Sequence, residues 1–201
     1  MVCLFLRPIK GAGGDLPAVA DRRPDALEIE HYALHETDLG GVRAILLPAH
    51  LDQIYLGEIA HVVEAFLDRG GRLVFNGHVA RPMLPELRTF VPLASLRLDD
   101  LRIGRLADHP VFDGVEDHDL TFRRGVAGFY ARGHNPPPEG AIPLNGVGPD
   151  RAPCDWIWDR PGGGEILMHA GNDLWMYVDA TDTTRRIVPQ LMAWAGREGA
   201  P

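Results

Sequence analysis

Polar side chains follow two of the strands that the sequence predicts, at the point where each strand ends. One end reads Phe75-Asn76-Gly77-His78, and a later one reads Met168-His169-Ala170-Gly171-Asn172-Asp173. Ligands of open parallel sheets lie outside the carboxyl ends of the strands, so both imidazoles are expected to face one crevice. A neutral imidazole can act as a general base near pH 7. The residues predicted to act in catalysis are His78, His169 and Asp173, and those predicted to contact a ligand at these ends are Asn76 and Asn172.

Each of these side chains also has a structural interpretation. Histidines at strand ends commonly satisfy loop carbonyls, and Asp173 is placed to cap the turn before Leu174. His134, beside Asn135 on a loop that three prolines hold extended, suits a lid that presents an imidazole to a ligand, but a solvated loop histidine is the simpler reading. The residue types leave both interpretations open.

A metal site would need three or four ligands that converge on one point. The available donors are His78, His134, His169 and Asp173, and they show neither an H-x-H nor an H-E-x-x-H spacing. Gly11-Ala12-Gly13-Gly14 lacks the G-x-G-x-x-G spacing of a dinucleotide fold and the lysine of a phosphate loop, which indicates a plain turn. We therefore expect no metal and no cofactor.

Aromatic side chains cluster late in the chain, interleaved with aspartates. Trp156 and Trp158 stand at alternate positions of a predicted strand, so their rings share one sheet face. With Trp175 nearby they could form an aromatic surface for a sugar, with Trp156 in contact with the ligand. The alternatives are that these rings belong to the hydrophobic core or that they form a subunit interface. In the second case the expected assembly is a homodimer.

Composition narrows the class of protein. The 201 residues suffice for one hydrophobic core, and we expect a single domain over residues 1–201. A net charge of −8, with arginines in scattered pairs, argues against binding to nucleic acid. No apolar run approaches the roughly 20 residues of a membrane helix. The expected partner is thus a small-molecule ligand rather than nucleic acid or a membrane.

The first residues and the two cysteines indicate the cellular compartment of the protein. The apolar start is interrupted by Arg7-Pro8, too early for a secretory signal, so it predicts a buried strand. Cys3 and Cys154 form neither a disulfide framework nor a zinc spacing. A cytoplasmic protein is the expectation.

Hydrophobic periodicity predicts an α/β fold. An amphipathic helix from Asp52 to Leu67, closed by Gly70-Gly71, separates two apolar strands, which is the pattern of a right-handed parallel crossover. A short helix with extended chain is expected within 84–98. A last helix is expected within 182–195, where Pro189 fits only if the helix starts near Ile187 or kinks there. The predicted strands are Val2–Leu6, Ala26–Tyr32, Val42–Leu47, Leu73–Phe75, Leu101–Leu106, strands within Thr121–Ala131, Ala141–Leu144, and a hairpin of Asp155–Asp159 with Glu165–Met168.

Several short segments, taken in order, carry a resemblance to a known family. They are Arg43–Pro48 with the helix and Gly70-Gly71-Arg72-Leu73-Val74 after it, His109-Pro110-Val111-Phe112-Asp113-Gly114, and Pro153 with Trp156 before Gly162-Gly163-Gly164-Glu165-Ile166-Leu167. Over about residues 40–175 the chain thus resembles the class I glutamine amidotransferase-like superfamily, and within it the trehalose-utilisation type. The resemblance implies a flavodoxin-like three-layer sandwich, with helices on both faces of a mostly parallel sheet and a late antiparallel extension.

The chain departs from that family at its nucleophile. The resemblance implies a cysteine in the turn after the fourth strand, and this turn holds His78 without a thiol. His169 stands where the family carries its catalytic histidine. We therefore expect a protein that binds a small polar, sugar-like metabolite without glutaminase activity and, if an enzyme, a histidine-assisted hydrolase or isomerase. A non-catalytic homo-oligomeric interaction module and a metal-dependent hydrolase are the alternatives.

Overall fold

The computed structural model describes residues 2–7 and 24–197, so the predicted turn at Gly11–Gly14 lies outside the described residues. The helices are α1 (Gln53–Glu58), α2 (Ala60–Asp68), α3 (Asp117–Thr121) and α4 (Ile187–Ala195). The strands are β1 (Val2–Arg7), β2 (Ala26–Glu30), β3 (Val42–Leu47), β4 (Arg72–Asn76), β5 (Val91–Pro92), β6 (Ile103–Arg105), β7 (Phe122–Arg123), β8 (Val126–Ala127), β9 (Gly133–His134), β10 (Ile142–Val147), β11 (Ala152–Asp159) and β12 (Glu165–His169).

Eight of these strands form one sheet in the order β2-β1-β3-β4-β12-β11-β10-β6. The pairings from β2 through β12 are parallel, and those of β12 with β11, β11 with β10 and β10 with β6 are antiparallel. The α/β class, the mostly parallel sheet and the late antiparallel extension are confirmed. The predicted hairpin of 155–159 with 165–168 is confirmed as β11 and β12.

Alternation along the central strands sends side chains to two separate cores. Leu4, Ile45 and Leu73 lie on the face that packs against α1 and α2 through residues such as Leu56 and Phe66. Their neighbours Phe5, Leu46 and Val74 lie on the opposite face, which packs against α4 and the 111–120 segment. Both faces of the parallel strands are covered, which explains their nearly continuous apolar sequence.

The helix predicted over 52–67 is divided into α1 and α2 at Ile59, whose φ of −103° and ψ of 18° leave the helical region. Asp52 begins α1 by accepting hydrogen bonds from the Ile54 and Tyr55 N–H groups. Gly70 after α2 has a φ of 86°, the left-handed turn expected of a glycine there. Pro189 lies in the first turn of α4, where its missing N–H costs no helical hydrogen bond.

Two sequence expectations need correction. Residues 84–98 contain no α-helix; the short strand β5 and extended chain stand there instead. Of Thr121–Ala131, only the β7–β8 hairpin is extended, and residues 128–132 form a loop across the carboxyl end of the sheet. Within the described ranges, no helix combines the length and the apolar character needed to cross a membrane.

Candidate functional site

A cavity of about 310 Å³ lies at the carboxyl ends of β3, β4 and β12, where the sequence predicts a crevice. Each strand contributes the residues that follow its last residue, and the 128–132 loop closes the remaining side. We call this cavity the cleft. Its lining residues are Ala49, His50, Gly77, His78, Gly128, Phe129, Ala131, Arg132, Ala170, Gly171 and Asn172.

The turn after β4 requires glycine and thereby places His78 at the rim. Gly77 has a φ of 94°, and a Cβ there would lie 2.8 Å from the Ala49 Cα. The His78 ring stacks on Phe90, with 3.5 Å between ring centroids and 11° between the planes. Burial against this wall is the main cause that lowers the pKa of His78, and the charges of His50 and His169 lower it further.

Two buried asparagines hold the strand ends beneath the cleft. The Asn76 Nδ2 donates to the Leu47 carbonyl at 2.8 Å, and its Oδ1 accepts from the Leu174 N–H at 3.0 Å. The Asn135 side chain accepts from the Val79 N–H at 2.9 Å and donates to the Gly77 carbonyl at 2.8 Å. Asn76 thus fixes the backbone around the site, and its amide is engaged on both sides rather than offered to a ligand.

His169 forms a buried pair with Asp155 below the floor of the cleft. Its Nδ1 donates to Asp155 Oδ1 at 2.6 Å, and both side chains are almost completely buried. The other ring nitrogen, Nε2, has no hydrogen-bond partner. It lies directly below Gly171, where a Cβ would come within 2.7 Å of Nε2. One glycine therefore separates an unpartnered imidazole nitrogen from the cleft.

The second oxygen of Asp155 belongs to a hydrogen-bonded network. Asp155 Oδ2 accepts from the Tyr130 hydroxyl at 2.5 Å and from Asn145 Nδ2 at 2.6 Å. The Tyr130 ring packs edge-on against the His169 ring, with 4.7 Å between centroids. Asn145 in turn accepts from Arg105. This arrangement fixes the orientation of His169 as the carboxylate of a histidine–aspartate pair does in general-base catalysis.

Asp173 lies beside the cleft and ties β12 to β3. Its Oδ1 accepts from the Ala49 N–H at 2.6 Å, and the side chain is buried. Burial raises the pKa of Asp173 to about 6, while the Ala49 N–H and the charges of His50 and His169 lower it in part. The carboxyl group thus titrates close to neutrality. The Asp173 carboxylate is thus bonded to the Ala49 N–H, and the orientation of His169 is provided by Asp155.

The structure brings some predicted site residues together and separates others. His78 and Asn172 line the cleft, and the His169 carbonyl accepts from the Gly77 N–H at 2.9 Å, so the two strand ends are adjacent. The His169 ring, however, is buried instead of standing at the rim. His134 lies in β9, where it pairs with Val91 of β5, and it does not line the cleft, so the structure does not support its predicted lid role.

The tryptophan predictions also need correction. Trp156 is fully buried, and its indole N–H donates to the Asn135 carbonyl at 2.7 Å, so it supports the cleft from inside the core and is not among its lining residues. Trp158 and Trp175 are 4% and 6% exposed. The alternative of a core role is correct for all three, and the predicted interaction surface is not available.

Three site residues were missed at the level of sequence. His50 follows β3 through Pro48-Ala49 as His78 follows β4, so the same rule of strand ends could have found it. Arg132 reaches the cleft from the 128–132 loop, for which no sequence signal exists. Asp155 was recognised only as part of an aromatic surface, because its pairing with His169 depends on the antiparallel register of β11 and β12.

The lining limits the chemistry of the cleft. No serine, threonine, cysteine, lysine or carboxylate is among its lining residues. Neither of the two cysteines of the chain lies there, and burial raises the pKa of the Cys154 thiol well above its usual range. Within the described part of the chain, no three histidine, cysteine or acidic side chains are grouped to hold a metal ion. Imidazole is the base that this site can supply.

A second cavity, of about 720 Å³, lies on the side of the sheet covered by α4. We call it the groove. Its wall carries the His109–Gly114 segment, Arg105 and Gln190. Arg105 donates to the carbonyls of Phe112 and Val115 at 3.2 and 3.0 Å. The Gln190 Nε2 donates to the Asp113 carbonyl at 2.8 Å, so these polar side chains serve the segment itself.

Comparisons with known proteins identify the fold of the chain but neither a family nor a function. No protein-family model matches the chain, and no curated protein matches it significantly. Among solved structures, the cytoplasmic protein STM3548 of Salmonella typhimurium superposes with a TM-score of 0.61 and 11% identity, covering 98% of this chain and 100% of the other. The N-terminal domain of mmIFT52 gives 0.55 and 12%, covering 100% of both chains. The cytoplasmic protein STM1381 of Salmonella typhimurium LT2 gives 0.56 and 12%, covering 96% of this chain and 94% of the other, so the chain shares the fold of these three proteins.

Proposed function

We propose that the protein binds a small polar metabolite in the cleft. The observation that carries this proposal is the cavity of about 310 Å³ at the carboxyl ends of three adjacent parallel strands, with two imidazoles on its rim. Its floor is made of small residues held by the buried amides of Asn76 and Asn135. Such a preformed cavity loses little entropy on binding, which favours ligand recognition.

The proposal includes a family relationship and a location. The strand order and the place of His169 support membership of the glutamine amidotransferase-like superfamily, in a branch without glutaminase activity. A thioester mechanism needs a reactive thiolate, and Cys3 and Cys154 are both buried away from the cleft. Two proteins of the same fold are described as cytoplasmic, which supports the same location here.

Calorimetric titration with glucose, pyruvate, inorganic phosphate and glutamine tests the proposal. We expect at least one probe to bind the native protein and to bind His78→Ala at least tenfold more weakly, since about 1.4 kcal/mol of lost contact gives that factor. His61→Ala, an exposed histidine on α2 outside the cleft, is the matched control. Binding that is equal in both variants would place the ligand elsewhere and overturn the proposal.

A second function, histidine-assisted hydrolysis or proton transfer, is favoured by the His169–Asp155 pair. A buried nitrogen without a partner is costly, and the unpartnered Nε2 lies next to a lining residue of the cleft. Contact between this nitrogen and a substrate requires Gly171 to move aside. The pair is otherwise oriented as a general base is.

Turnover of p-nitrophenyl acetate and p-nitrophenyl phosphate tests this second function. Activity of the native protein that falls at least a hundredfold in His169→Gln, and that persists in His61→Gln, supports it. Unfolding curves of both variants separate a loss of activity from a loss of folding. Equal rates in native protein and folded His169→Gln would reject it.

A further inference from the structure

The charges around the cleft differ in sign from the protein as a whole. The chain has a net charge of −8, yet the ionisable side chains that line the cleft are His50, His78 and Arg132, all of them cationic or able to become so. The carboxyl group of Asp173, beside the cleft, is buried with its Oδ1 bonded to the Ala49 N–H. A ligand in the cleft therefore meets positive charge without an opposing carboxylate in the lining.

Arg132 is held in place by its own loop. Its Nε donates to the Gly128 carbonyl at 2.9 Å, and Gly128 has the φ of 83° that this turn needs. The side chain is exposed, and its two terminal nitrogens make no hydrogen bond within residues 2–7 and 24–197. A guanidinium restrained at one nitrogen and open at the other two is suited to bidentate binding of a carboxylate or a phosphate.

The two rim histidines supply further donors. Neither the His50 nor the His78 ring is hydrogen-bonded within the described ranges, and the stacking on Phe90 fixes the His78 ring. The charges of His50 and His169 act on His78, and Arg132 lines the same cleft. The carboxyl groups that face this cluster are Asp173, which interacts with His50 and His169, and Asp155, which is bonded to the His169 Nδ1 below the floor. An anion in the cleft would offset that repulsion and favour the protonated imidazole.

We propose that the ligand of the cleft is a small anionic metabolite carrying a carboxylate or a phosphate group, bound by Arg132 together with His50 and His78. This inference rests on the proposed function and specifies its ligand class. The cavity of about 310 Å³ is at the lower end of ligand-pocket volumes, which fits a metabolite of a few carbon atoms. Binding favours proton uptake at His78, so affinity increases as the pH falls toward 6.

Calorimetric titration with three probes distinguishes a carboxylate ligand from a phosphate ligand and both from a neutral one. Pyruvate represents a carboxylate, inorganic phosphate represents a phosphate group, and glucose is the neutral comparison. We expect one or both anions to bind and to lose at least tenfold in affinity in Arg132→Gln. Arg43→Gln, which removes the same charge from an exposed position outside the cleft, should bind as the native protein does.

The pH arm uses pyruvate, or phosphate if pyruvate does not bind. Pyruvate keeps one charge between about pH 6 and pH 8, so any change in its affinity reports on the protein. We expect the affinity to be several-fold higher at about pH 6, and His78→Gln to remove most of that change. For phosphate, the comparison of native protein with His78→Gln removes the ligand's own titration.

Each outcome decides the question. Binding of glucose without either anion overturns the inference and leaves the proposed function standing. Anion binding that is equal in Arg132→Gln and Arg43→Gln also overturns it. Failure of every probe, including glutamine, to bind the native protein overturns the proposed function and this inference together. Loss of anion binding in Arg132→Gln alone, with the unfolding free energy unchanged, supports both.

Discussion

The cleft and the groove use polar side chains in opposite ways. In the groove, Arg105 and Gln190 donate to carbonyls of the segment that forms its wall, and the His109 Nδ1 accepts from the Val111 N–H at 3.3 Å. In the cleft, the amides of Asn76 and Asn135 hold the backbone, while His50 and His78 remain open to solvent. The groove has more than twice the volume of the cleft, yet its donors are engaged in structure.

This difference shows that cavity size alone does not identify a site. Polar groups that bind a ligand must be held in place and must also keep unused donors or acceptors. The cleft meets both conditions because a layer of buried amides lies beneath its rim. In the groove the donors of Arg105 and the Gln190 Nε2 are engaged in structure, although the Gln190 Oε1 has no partner. The groove also carries Asp108 and Asp113 beside Arg105, so it presents no single sign of charge.

The buried network that runs between the two cavities gives the largest expected effect. Asp155→Ala leaves the His169 Nδ1 and the Tyr130 hydroxyl without an acceptor, and it leaves the Asn145 Nδ2 with only the Tyr130 oxygen at 3.1 Å. We expect the free energy of unfolding in urea to fall by about 3–5 kcal/mol, the usual loss when one partner of a buried polar pair is removed. Asp159→Ala, at the exposed end of the same strand, should change it by no more than about 0.5 kcal/mol. Equal losses in the two variants would show that the network contributes nothing.

Glycines on the two cavities should respond differently to a methyl group. At Gly171 a Cβ would overlap the Tyr130 carbonyl oxygen that packs on the cleft floor, so Gly171→Ala must displace backbone and is expected to cost roughly 3 kcal/mol. At Gly114 in the groove the nearest side-chain atom is 3.4 Å away, and only the φ of 64° opposes alanine, at about 1–2 kcal/mol. Urea unfolding of both variants compares these costs. A larger loss at Gly114 would contradict the close packing of the 128–132 loop on the cleft.

Sequence patterns predicted the parts of the molecule that local physics determines. The apolar runs at 42–47 and 73–75 are strands because both faces of the sheet are covered, and the crossover between them fixes which ends share an edge. That rule placed His78 beside the end of β12, where His169 stands. The same rule, applied to the residue after Pro48-Ala49, would have added His50.

The rest of the site depends on contacts between distant parts of the chain. Asp155 meets His169 only because β11 and β12 pair with this register, and Arg132 reaches the cleft only because the 128–132 loop crosses the sheet edge. The burial of Trp156 has the same origin, since a period of two assigns a side chain to a face but does not say whether that face is covered. Helical periodicity also failed to reveal the break at Ile59.

A change of pH should affect stability with opposite signs at Asp173 beside the cleft and at His109 in the groove. Burial raises the pKa of Asp173 to about 6 in the folded protein, whereas its value in the unfolded chain is near 3.8. Between these two pH values the folded protein keeps the proton and the unfolded chain has released it. The contribution of Asp173 to stability is therefore present below about pH 4 and is lost as the pH rises through 6. Asp173→Asn keeps an oxygen for the Ala49 N–H and removes the charge.

We expect Asp173→Asn to raise the free energy of unfolding relative to the native protein by about 2–3 kcal/mol more at pH 8 than at pH 4. Urea unfolding at the two pH values measures this difference. Asp150→Asn, at an exposed position, provides the control for a change of charge alone. A difference that does not depend on pH would mean that Asp173 is ionised in the folded protein as easily as in the unfolded chain.

His109 in the groove should show the opposite sign and the smallest effect. Burial, together with the charges of Arg197 and Arg105, lowers the pKa of His109 to about 4 in the folded protein. The unfolded chain, with a value near 6.5, therefore binds this proton at a higher pH than the folded protein does. Stability from this residue is therefore present above pH 6.5 and is lost as the pH falls toward 4. Because the ring is partly exposed, solvent screening should keep the loss below about 1 kcal/mol.

His109→Asn retains an acceptor for the Val111 N–H and cannot be charged, so its unfolding free energy should decline less than that of the native protein between pH 7 and pH 4.5. His118→Asn, an exposed histidine, should not reproduce this change, and a steeper acid decline in His109→Asn would contradict the assignment of opposite signs to the two cavities.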